Sequence, residues 1–310
     1  MRKVNMHGYD GPSALRPGEA PEPVAGPGEL LLRAEAAGLT LPVLKVLNGF
    51  GEVPLPHCPG GDVVGRVVAV GEGVAEYRVG DRVGGLAFQD VYAELVTVQP
   101  ALVTPVPEEV GAADALAVVR SGLVALAALR AGRLERGESV LITAAAGGVG
   151  HLAVQLARAL GAGRVVAAVG SAAKADFVRS LGADEVVRYQ DADWGAPVDL
   201  VVESVGGEVL RRTAEALVPF GRLVVNSGAG GTLDAGALLR GMHTAVGLSM
   251  RELSRLRPEL IEDYRKELWT LLADGALRPV SVSFPLERAA EAARALADRA
   301  NLGKVLLDLS

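Results

Sequence analysis

The segment from Ser139 to Leu160, SVLITAAAGGVGHLAVQLARAL, constrains the fold of this chain more than any other part of it. Its apolar run from Val140 to Thr143 has the character of a β-strand, and Val149 to Leu160 carries apolar residues at helical spacing. The glycines Gly147, Gly148 and Gly150, which come where the helical run begins, predict a tight turn. The segment therefore reads as strand, turn and helix.

Backbone amides at the start of such a helix have no partner within the helix, and together with the helix dipole they form a site for a diphosphate. The usual dinucleotide fingerprint, GxGxxG, falls here on Ala145, Gly147 and Gly150, so alanine replaces the first glycine. The alternative is that the glycines only allow close packing of the helix on the strand. We predict that the following residues bind a cofactor: Ala146, Gly147, Gly148, Val149 and Gly150.

Length and composition limit the class of protein. The chain has 310 residues, enough for two domains, and we expect that no apolar run reaches the roughly 18 residues of a membrane span. Its single cysteine, Cys58, excludes an internal disulfide and a cysteine-based zinc cluster. A net charge of −6 gives no electrostatic reason to bind nucleic acid, so we expect small-molecule partners. Because the first residues lack the apolar stretch of a secretory signal, we expect a cytoplasmic protein outside the membrane.

Two kinds of pattern divide the chain. Up to about residue 110, short runs separated by proline and glycine predict a small antiparallel barrel or sandwich with strands at Glu29–Ala37, Val63–Val70, Arg82–Leu86 and Tyr92–Val98. From about Gly111, apolar strands alternate with helices, which predicts a parallel sheet with helices on both faces. Its predicted strands are Val140–Thr143, Val165–Val169, Leu200–Val202 and Leu223–Val225, and its helices are Val149–Leu160, Lys174–Leu181 and Glu208–Leu217. A long helix (Glu259–Asp274) and a last strand (Lys304–Leu309) follow, and we expect that strand to return to the first domain.

Short motifs in a fixed order run along nearly the whole chain. They are PGGDVVGRVVAVGEGVAEYRVGDRV from Pro59, YAE at Tyr92, AAAGGVG from Ala144, LGADEVVRY from Leu181, DLVVESVGG from Asp199, PFGRLVV from Pro219 and GKVLL from Gly303. In this order they resemble the medium-chain dehydrogenase/reductase superfamily, specifically its zinc-free quinone oxidoreductase and enoyl reductase branch.

The resemblance implies an α/β fold that joins a Rossmann doubly wound parallel sheet to a GroES-like, mostly-β catalytic domain. On this basis residues 1–115 and 275–310 form a discontinuous GroES-like catalytic domain, and residues 116–274 form the Rossmann NADPH-binding domain. The cofactor is then expected in the cleft between the domains. The resemblance also implies a homodimer formed through an edge of the Rossmann sheet.

Zinc-dependent members of the superfamily carry a cysteine about where Thr40 stands, and a His-Glu pair where this chain has Gly61 and Asp62. Zinc needs three or four nitrogen or sulfur donors held close together. Neither Cys58 nor the scattered histidines form such a set in the sequence. We therefore predict that the protein holds no metal.

The residues beyond the second predicted strand indicate which nicotinamide cofactor is bound. An acidic residue about 20 positions after the glycines would bind the ribose hydroxyls and repel a 2′-phosphate, but this strand ends in Val169, Gly170 and Ser171. In the family a lysine and a tyrosine equivalent to Lys174 and Tyr189 hold the 2′-phosphate of NADPH by a charge and a hydroxyl. We predict NADPH as the cofactor, with Ser171, Lys174 and Tyr189 in its site. Taken singly, the lysine would be interpreted as a solvated charge and the tyrosine as a core residue.

The loops after the third and fourth predicted strands are expected to meet the nicotinamide half, because ligands of open α/β sheets bind beyond the carboxyl ends of the strands. Val205 follows the strand that ends in Glu203, and Asn226 to Gly228 follow PFGRLVV. We place Val205, Asn226 and Gly228 in the predicted site. The alternative is that they belong to ordinary loop turns.

With neither metal nor obvious nucleophile, the predicted chemistry is hydride transfer from the nicotinamide to an electron-poor carbon of a quinone, an enone or an enoyl thioester. The family's substrate segment usually reads GVNxxDxxxRxGxY, whereas this chain has GLTLPVLKVLNGFG from Gly38 to Gly51. The Asn, Asp, Arg and Tyr of that pattern are replaced by Thr40, Val43, Leu47 and Gly51. Two donors remain nearby, Thr40 and Lys45, and we take both as candidate catalytic residues. Lys45 is alternatively a solvated charge, and water is the alternative proton donor.

Two hypotheses about function follow. The first is an NADPH-dependent, zinc-independent reductase of a specialised substrate, with a slight preference for C=C reduction over quinone reduction. The second is an NADPH-binding protein whose catalytic function has decayed and which acts as a sensor or structural partner, because the hallmark polar residues are lost. A zinc-dependent alcohol dehydrogenase is a distant third. Tyr92 is expected to have a structural role.

Overall fold

The computed structural model describes residues 1–226, 228 and 230–310. The chain forms two compact units, one of residues 1–120 with 280–310 and one of residues 121–279. The domain boundaries expected from the sequence lie between residues 115 and 116 and between residues 274 and 275. The first break falls later because the change of pattern near Gly111 marks the start of a helical run from Ala112 to Ala131, and the first unit extends into that run.

The strands and helices are numbered along the whole chain. The strands are β1 (Arg2–Met6), β2 (Leu15–Glu19), β3 (Leu30–Gly38), β4 (Pro59–Val70), β5 (Arg82–Gln89), β6 (Leu95–Val98), β7 (Val103–Pro105), β8 (Ser139–Ile142), β9 (Arg164–Val169), β10 (Glu185–Arg188), β11 (Val198–Glu203), β12 (Leu217–Val225), β13 (Thr244–Gly247), β14 (Ser281–Pro285) and β15 (Lys304–Asp308). The helices are α1 (Leu41–Leu47), α2 (Ala112–Leu116), α3 (Leu123–Ala131), α4 (Gly150–Ala159), α5 (Ala175–Ser180), α6 (Gly207–Glu215), α7 (Ala235–Gly241), α8 (Met250–Leu256), α9 (Pro258–Ala273) and α10 (Ala289–Ala297).

The first unit is built mainly of strands. Its large sheet has the order β14-β15-β3-β4-β5-β7, with β6 also paired to β3, and β1 and β2 form a separate antiparallel pair. All pairs of the large sheet are antiparallel except β14 with β15. The last strand of the chain, β15, lies against β3 in this unit.

The core of the first unit is closed by α10, whose small residues Ala289, Ala292 and Ala293 are buried. Their spacing puts them on one face of the helix, where they allow close packing on the sheet. The buried positions of β3 and β4 supply the other side of the core, with Leu30, Leu32, Val63 and Val67 among its members.

The second unit holds a six-stranded parallel sheet in the order β10-β9-β8-β11-β12-β13. From β8 the chain proceeds outward through β9 and β10, and then continues on the other side through β11, β12 and β13. The order therefore reverses between β8 and β11, and this is where ligands bind in sheets of this kind, beyond the carboxyl ends. The α/β fold class expected from the sequence is confirmed.

The four strands predicted for this sheet are present, but two edge strands, β10 and β13, were missed. Each has four residues, Glu185–Arg188 and Thr244–Gly247, and neither contains a long apolar run. The short helices α7 and α8 were also missed.

In the first unit, the strand predicted from Tyr92 to Val98 begins only at Leu95.

One helical run, from Ala112 to Ala131, has the length and composition of a membrane span, contrary to the expectation that no such segment exists. It is the one such run in the part of the chain that the structure describes, and most of it is buried inside the protein. A buried core helix passes the same test, so the run is weak evidence for membrane insertion.

Candidate functional site

The glycine turn joins β8 to α4 and is as tight as its sequence predicts. A Cβ atom on Gly150 would lie 2.2 Å from the Ala144 carbonyl oxygen and 2.6 Å from the Ala145 Cα, so only glycine fits this position. At Gly147 the same carbonyl oxygen would be 3.2 Å away, which is a milder contact. The two glycines of the fingerprint are therefore not equivalent, and the steric demand is greater at Gly150 than at Gly147.

Some backbone amides of the turn are hydrogen-bonded within the protein, and others are placed to bind a ligand. The Gly147 amide closes the turn on the Ala144 carbonyl oxygen at 2.8 Å. The next amides belong to the half-buried Gly148 and Val149, at the helix start, where no acceptor exists within the helix. A diphosphate would therefore be held by these two, while Ala146 is buried beneath them.

His151 supports this turn and was not singled out in the sequence. It is fully buried in the first turn of α4, and its Nδ1 lies 2.9 Å from the Gly147 carbonyl oxygen. One turn later, the Gln155 side chain donates to the His151 carbonyl oxygen at 3.0 Å. The signal in the sequence was two polar residues at helical spacing on the buried face of α4.

Tyr189 lies at the same edge of the sheet as the glycine turn. Its hydroxyl accepts a hydrogen bond from the Ala144 amide at 2.8 Å and donates to the Ala168 carbonyl oxygen at 3.4 Å. The ring stacks at a tilt on Trp194, with centroids 6.5 Å apart. The Arg212 guanidinium lies 4.3 Å from the Trp194 ring and donates to the Tyr189 carbonyl oxygen. The tyrosine is thus held firmly on both sides.

Ser171 and Lys174 occupy the loop after β9. Ser171 is exposed and precedes a single 3₁₀ turn that ends at Lys174, which is half-buried. Because Val169 of β9 pairs with Arg188 of β10, the residues that follow these strands lie at one edge of the sheet. The structure therefore brings Ser171, Lys174 and Tyr189 to the edge that carries the glycine turn.

The loops after β8 and β11 are tied together below this edge. The Thr143 hydroxyl accepts a hydrogen bond from the Ser204 amide at 2.8 Å. The fully buried Glu203 accepts from the amides of Val205 and Gly206, both at 2.7 Å through Oε1. Neither Thr143 nor Glu203 was proposed from the sequence, although an acid at the end of a buried strand was a visible signal.

Two buried polar atoms at this edge lack a hydrogen-bond partner within the described residues. They are Oε2 of Glu203 and the side-chain Nδ2 of Asn226. The backbone amide of Asn226 does have a partner, because it donates to the Glu203 carbonyl oxygen at 3.0 Å. Buried polar groups are nearly always paired, so an unpaired donor here fits a ligand that supplies an acceptor. Gly228 lies in the same loop, and Ser227 between them is outside the described residues. With the glycine turn, this edge fits a dinucleotide.

The first unit carries the candidate catalytic residues, Thr40 and Lys45, at opposite ends of α1. Thr40 precedes the helix in extended conformation, and its hydroxyl caps no helix amide. Lys45 lies in the last turn and is exposed, with its ammonium 5.6 Å from the centre of the Phe50 ring. The structure places the two side chains on one short helix rather than in one cluster.

Asp62, one of the two residues that the resemblance sets against the His-Glu pair of zinc-dependent members, belongs to a buried ion pair. Asp62 Oδ2 lies 2.5 Å from Lys304 Nζ, and the two side chains are 0% and 2% exposed. Burial raises the pKa of the nearby Cys58 thiol to about 12, which disfavours the thiolate that zinc binds. Among the described residues, no group of three or more His, Cys, Asp or Glu side chains could hold a metal ion. This donor set does not fit zinc.

Comparison with known proteins identifies the family. The profile of the alcohol dehydrogenase GroES-like domain matches residues 26–108, and that of the zinc-binding dehydrogenases matches residues 181–307. A probable quinone oxidoreductase of Schizosaccharomyces pombe is 34% identical over 308 residues, which cover 93% of this chain and 91% of that protein. The chain belongs to the medium-chain dehydrogenase/reductase family, in its quinone oxidoreductase branch.

Two further relatives extend the range of this branch. The spectinabilin polyketide synthase system protein NorB of Streptomyces orinoci is 37% identical over 306 residues, covering 94% of this chain. The chain spans only 14% of the length of that relative. The crystal structure of Escherichia coli quinone oxidoreductase complexed with NADPH superposes with a TM-score of 0.90 at 26% identity, covering 99% of this chain and 100% of that one.

Proposed function

We propose that this protein is an NADPH-dependent, zinc-independent oxidoreductase that transfers hydride to an α,β-unsaturated carbonyl compound (an enone or enoyl thioester) or to a quinone, on substrates of specialised metabolism. The observation that carries the proposal is the carboxyl edge of the parallel sheet. This edge carries the glycine turn, Lys174 and Tyr189 and, two strands beyond the turn, the Asn226 side-chain amide, which has no partner among the described residues. We also propose that it acts in the cytoplasm as a homodimer.

The preference for NADPH is supported by charge. The chain after β9 runs through Gly170 and Ser171 without an acidic residue, and Lys174 follows. A carboxylate at that place would repel a 2′-phosphate, whereas an ammonium group attracts it. The solved E. coli relative contains NADPH, in agreement with this choice.

When bound, NADPH supplies the hydride, and the chain has to bind and orient the acceptor. Hydride addition to an enone leaves negative charge on the carbonyl oxygen, which a hydrogen-bond donor stabilises. The Thr40 hydroxyl suits this role because it caps no amide of α1. Lys45 is the second donor of the segment, and its exposure leaves it able to deliver a proton directly or through water.

The relatives support both classes of acceptor. One is a probable quinone oxidoreductase and another belongs to a polyketide synthase system. The loss of the usual polar residues at Val43, Leu47 and Gly51 gives a more apolar substrate segment, which slightly favours C=C reduction of a specialised substrate.

The test is steady-state oxidation of NADPH by the purified chain, followed by the absorbance of the reduced nicotinamide. The acceptors should include activated enones, enoyl-CoA thioesters and benzoquinones, with NADH as the alternative donor. We expect turnover with at least one acceptor and a preference for NADPH. Tight binding of NADPH without turnover of any of these acceptors would refute the proposal.

The usual polar residues of the substrate segment are replaced, and this supports a second candidate function. In it, the protein is a catalytically decayed NADPH-binding sensor or structural partner. Thr40→Val and Lys45→Met separate the two functions, with Lys266→Met, an exposed lysine of α9, as the matched control. If either of the first two variants loses turnover while its NADPH dissociation constant is unchanged, the decayed function is rejected.

A further inference from the structure

The ion pair between Asp62 and Lys304 is unusual for its burial. Its side chains are 0% and 2% exposed, whereas most other pairs in the described residues have at least one well-exposed partner, as Arg2 does with Glu94. Taking two charges out of water is costly, and apolar side chains of similar size often serve stability equally well. The best-attested benefit of such a pair is that it specifies one register of the chain.

The pair spans the end of β3. Asp62 of β4 lies opposite Gly38, and Gly38 lies opposite Leu306 of β15, the strand that Lys304 begins. A slip of one residue in a strand turns its side chains to the other face of the sheet. Because a slip of β4 or of β15 would leave one buried charge without its partner, the pair fixes the register of these two strands on either side of Gly38.

Gly38 leaves the room that the pair occupies. A Cβ atom at this position would lie 2.2 Å from Asp62 Oδ2 and 2.7 Å from Lys304 Nζ. Both charged groups therefore lie directly against the last residue of β3. Any side chain at Gly38 would displace them.

The chain leads from this point into the substrate segment. The Leu39 amide donates to the Val305 carbonyl oxygen at 3.0 Å, and the Thr40 carbonyl oxygen accepts from the Val43 amide at 3.0 Å. The position of Thr40 is thus set by the last contact between β3 and the strand that carries Lys304.

Tyr92 lies close enough to Asp62 to feel its charge. It is fully buried, and burial, followed by the negative charge of Asp62, raises the pKa of its phenol well above the usual value. The phenol stays protonated at any working pH, so it adds no third charge to the pair.

We propose that Asp62 and Lys304 are positioning residues, which hold the end of β3 so that the Thr40 hydroxyl is presented to the acceptor. This rests on the proposed function, because Thr40 is assigned its role there. The buried pair acts through the backbone of residues 38–40 and does not touch the substrate.

The decisive variant is the apolar double replacement Asp62→Val/Lys304→Met, which leaves no uncompensated charge. We expect it to fold with a thermal midpoint close to that of the wild type and to bind NADPH within about twofold. Its kcat/KM for the acceptor should fall by about tenfold or more, since small misplacements of a contact are costly. Adding Thr40→Val should cost much less in the double variant than in the wild type, because that contact is already lost. The proposal would be overturned if the double variant kept the kcat/KM of the wild type, or if the effect of Thr40→Val simply added to that of the double replacement.

Gly38→Ala provides a second variant in case the double replacement does not fold. It keeps both charges and pushes them apart from β3, with Gly18→Ala as the control, where an added Cβ meets nothing within 4 Å. The same loss of acceptor kcat/KM with unchanged NADPH binding is expected, and unaltered kcat/KM in Gly38→Ala would count against the proposal.

Hydrogen exchange of the Leu39 and Val43 amides gives a readout independent of turnover. We expect it to become about tenfold faster or more in the variants than in the wild type, with no change in the second unit. Unchanged protection would refute the positioning role even if the wild type reduces no acceptor. A wild type without turnover whose variants lose protection would refute only the proposed function.

Discussion

The Tyr189 hydroxyl lies 2.8 Å from the amide nitrogen of Ala144 and accepts its hydrogen bond at the start of the glycine turn. Ala144 has a positive φ of 50°, a conformation that costs energy for any residue with a side chain. The tyrosine therefore helps to hold a strained turn in place. Its proton, by contrast, goes to the Ala168 carbonyl oxygen over 3.4 Å, a long bond that a phosphate oxygen could replace.

Tyr189→Phe separates these two roles. Loss of the acceptor should loosen the turn, so we expect the dissociation constants of NADPH and NADH to rise together by about three- to tenfold, the value of an ordinary hydrogen bond. Isothermal titration calorimetry measures both, with Tyr77→Phe in the first unit as the control. A loss confined to NADPH would instead assign the hydroxyl to the 2′-phosphate alone, and no loss would dismiss both roles.

Lys174→Ala tests the origin of the cofactor preference. An ammonium that meets the 2′-phosphate contributes a charge-assisted hydrogen bond, so NADPH affinity should fall by about ten- to a hundredfold while NADH affinity stays unchanged. Arg179→Ala, on the exposed side of α5, is the matched control because it removes a charge from the same region. An equal loss of affinity for both cofactors would show that Lys174 supports the loop and does not bind the 2′-phosphate.

Local patterns made much of the second unit predictable. The glycine turn and the strands β8, β9, β11 and β12 are encoded by residues close together in the sequence, so their periods and turn residues could be read directly. The edge strands β10 and β13 escaped because four residues are too few to show a period. Their pairing depends on neighbours far along the chain.

The polar contacts inside the candidate site were less predictable. Asp62 and Lys304 belong to opposite ends of the chain, and nothing in the sequence near either residue indicates the other. The same holds for Thr143 and Ser204, which meet only because β8 and β11 are neighbours in the sheet. Thr40 and Lys45, in contrast, were chosen from one short segment, and the structure separates them to the two ends of α1.

A half-buried carboxylate, that of Glu138, should make the second unit sensitive to acid. Arg222 donates to both oxygens of Glu138, at 2.7 and 2.5 Å, and this holds the pKa of Glu138 below its ordinary value of 4.5. Because the folded-state pKa is the lower one, the pair stabilises the fold fully above that ordinary value, and the stabilisation is lost as the pH falls through the folded-state pKa. At neutral pH, Glu138→Gln should cost about 1–3 kcal/mol of unfolding free energy.

Urea unfolding at neutral pH and at about pH 4 measures this dependence, with the exposed Glu109→Gln as the control. The difference between wild type and Glu138→Gln should shrink at the lower pH, because that pH lies below the ordinary pKa of 4.5, at which the carboxylate of the unfolded chain takes up its proton. A difference of the same size at both pH values would mean that the charge of Glu138 is not what stabilises the fold.

The two edges of the parallel sheet differ in a way that predicts where a second copy binds. At one edge, β10 carries Glu185 and Arg188, each held in an ion pair, and charged edges resist pairing with another chain. At the other, β13 has no charged residue, and Thr244, Ala245 and Gly247 are exposed. An uncharged, exposed edge strand is a ready template for strand pairing, so we expect a homodimer through β13.

Ala245→Asp should convert that dimer to a monomer, because the exposed side chain of each copy would bring a carboxylate into the paired strands. Light scattering after size-exclusion chromatography measures the mass, with Ser283→Asp on the exposed edge strand β14 of the other sheet as the matched control. The control should remain a dimer and the thermal midpoints of both variants should match. A wild type of single-chain mass, or a dimer that survives Ala245→Asp, would place the interface elsewhere or remove it.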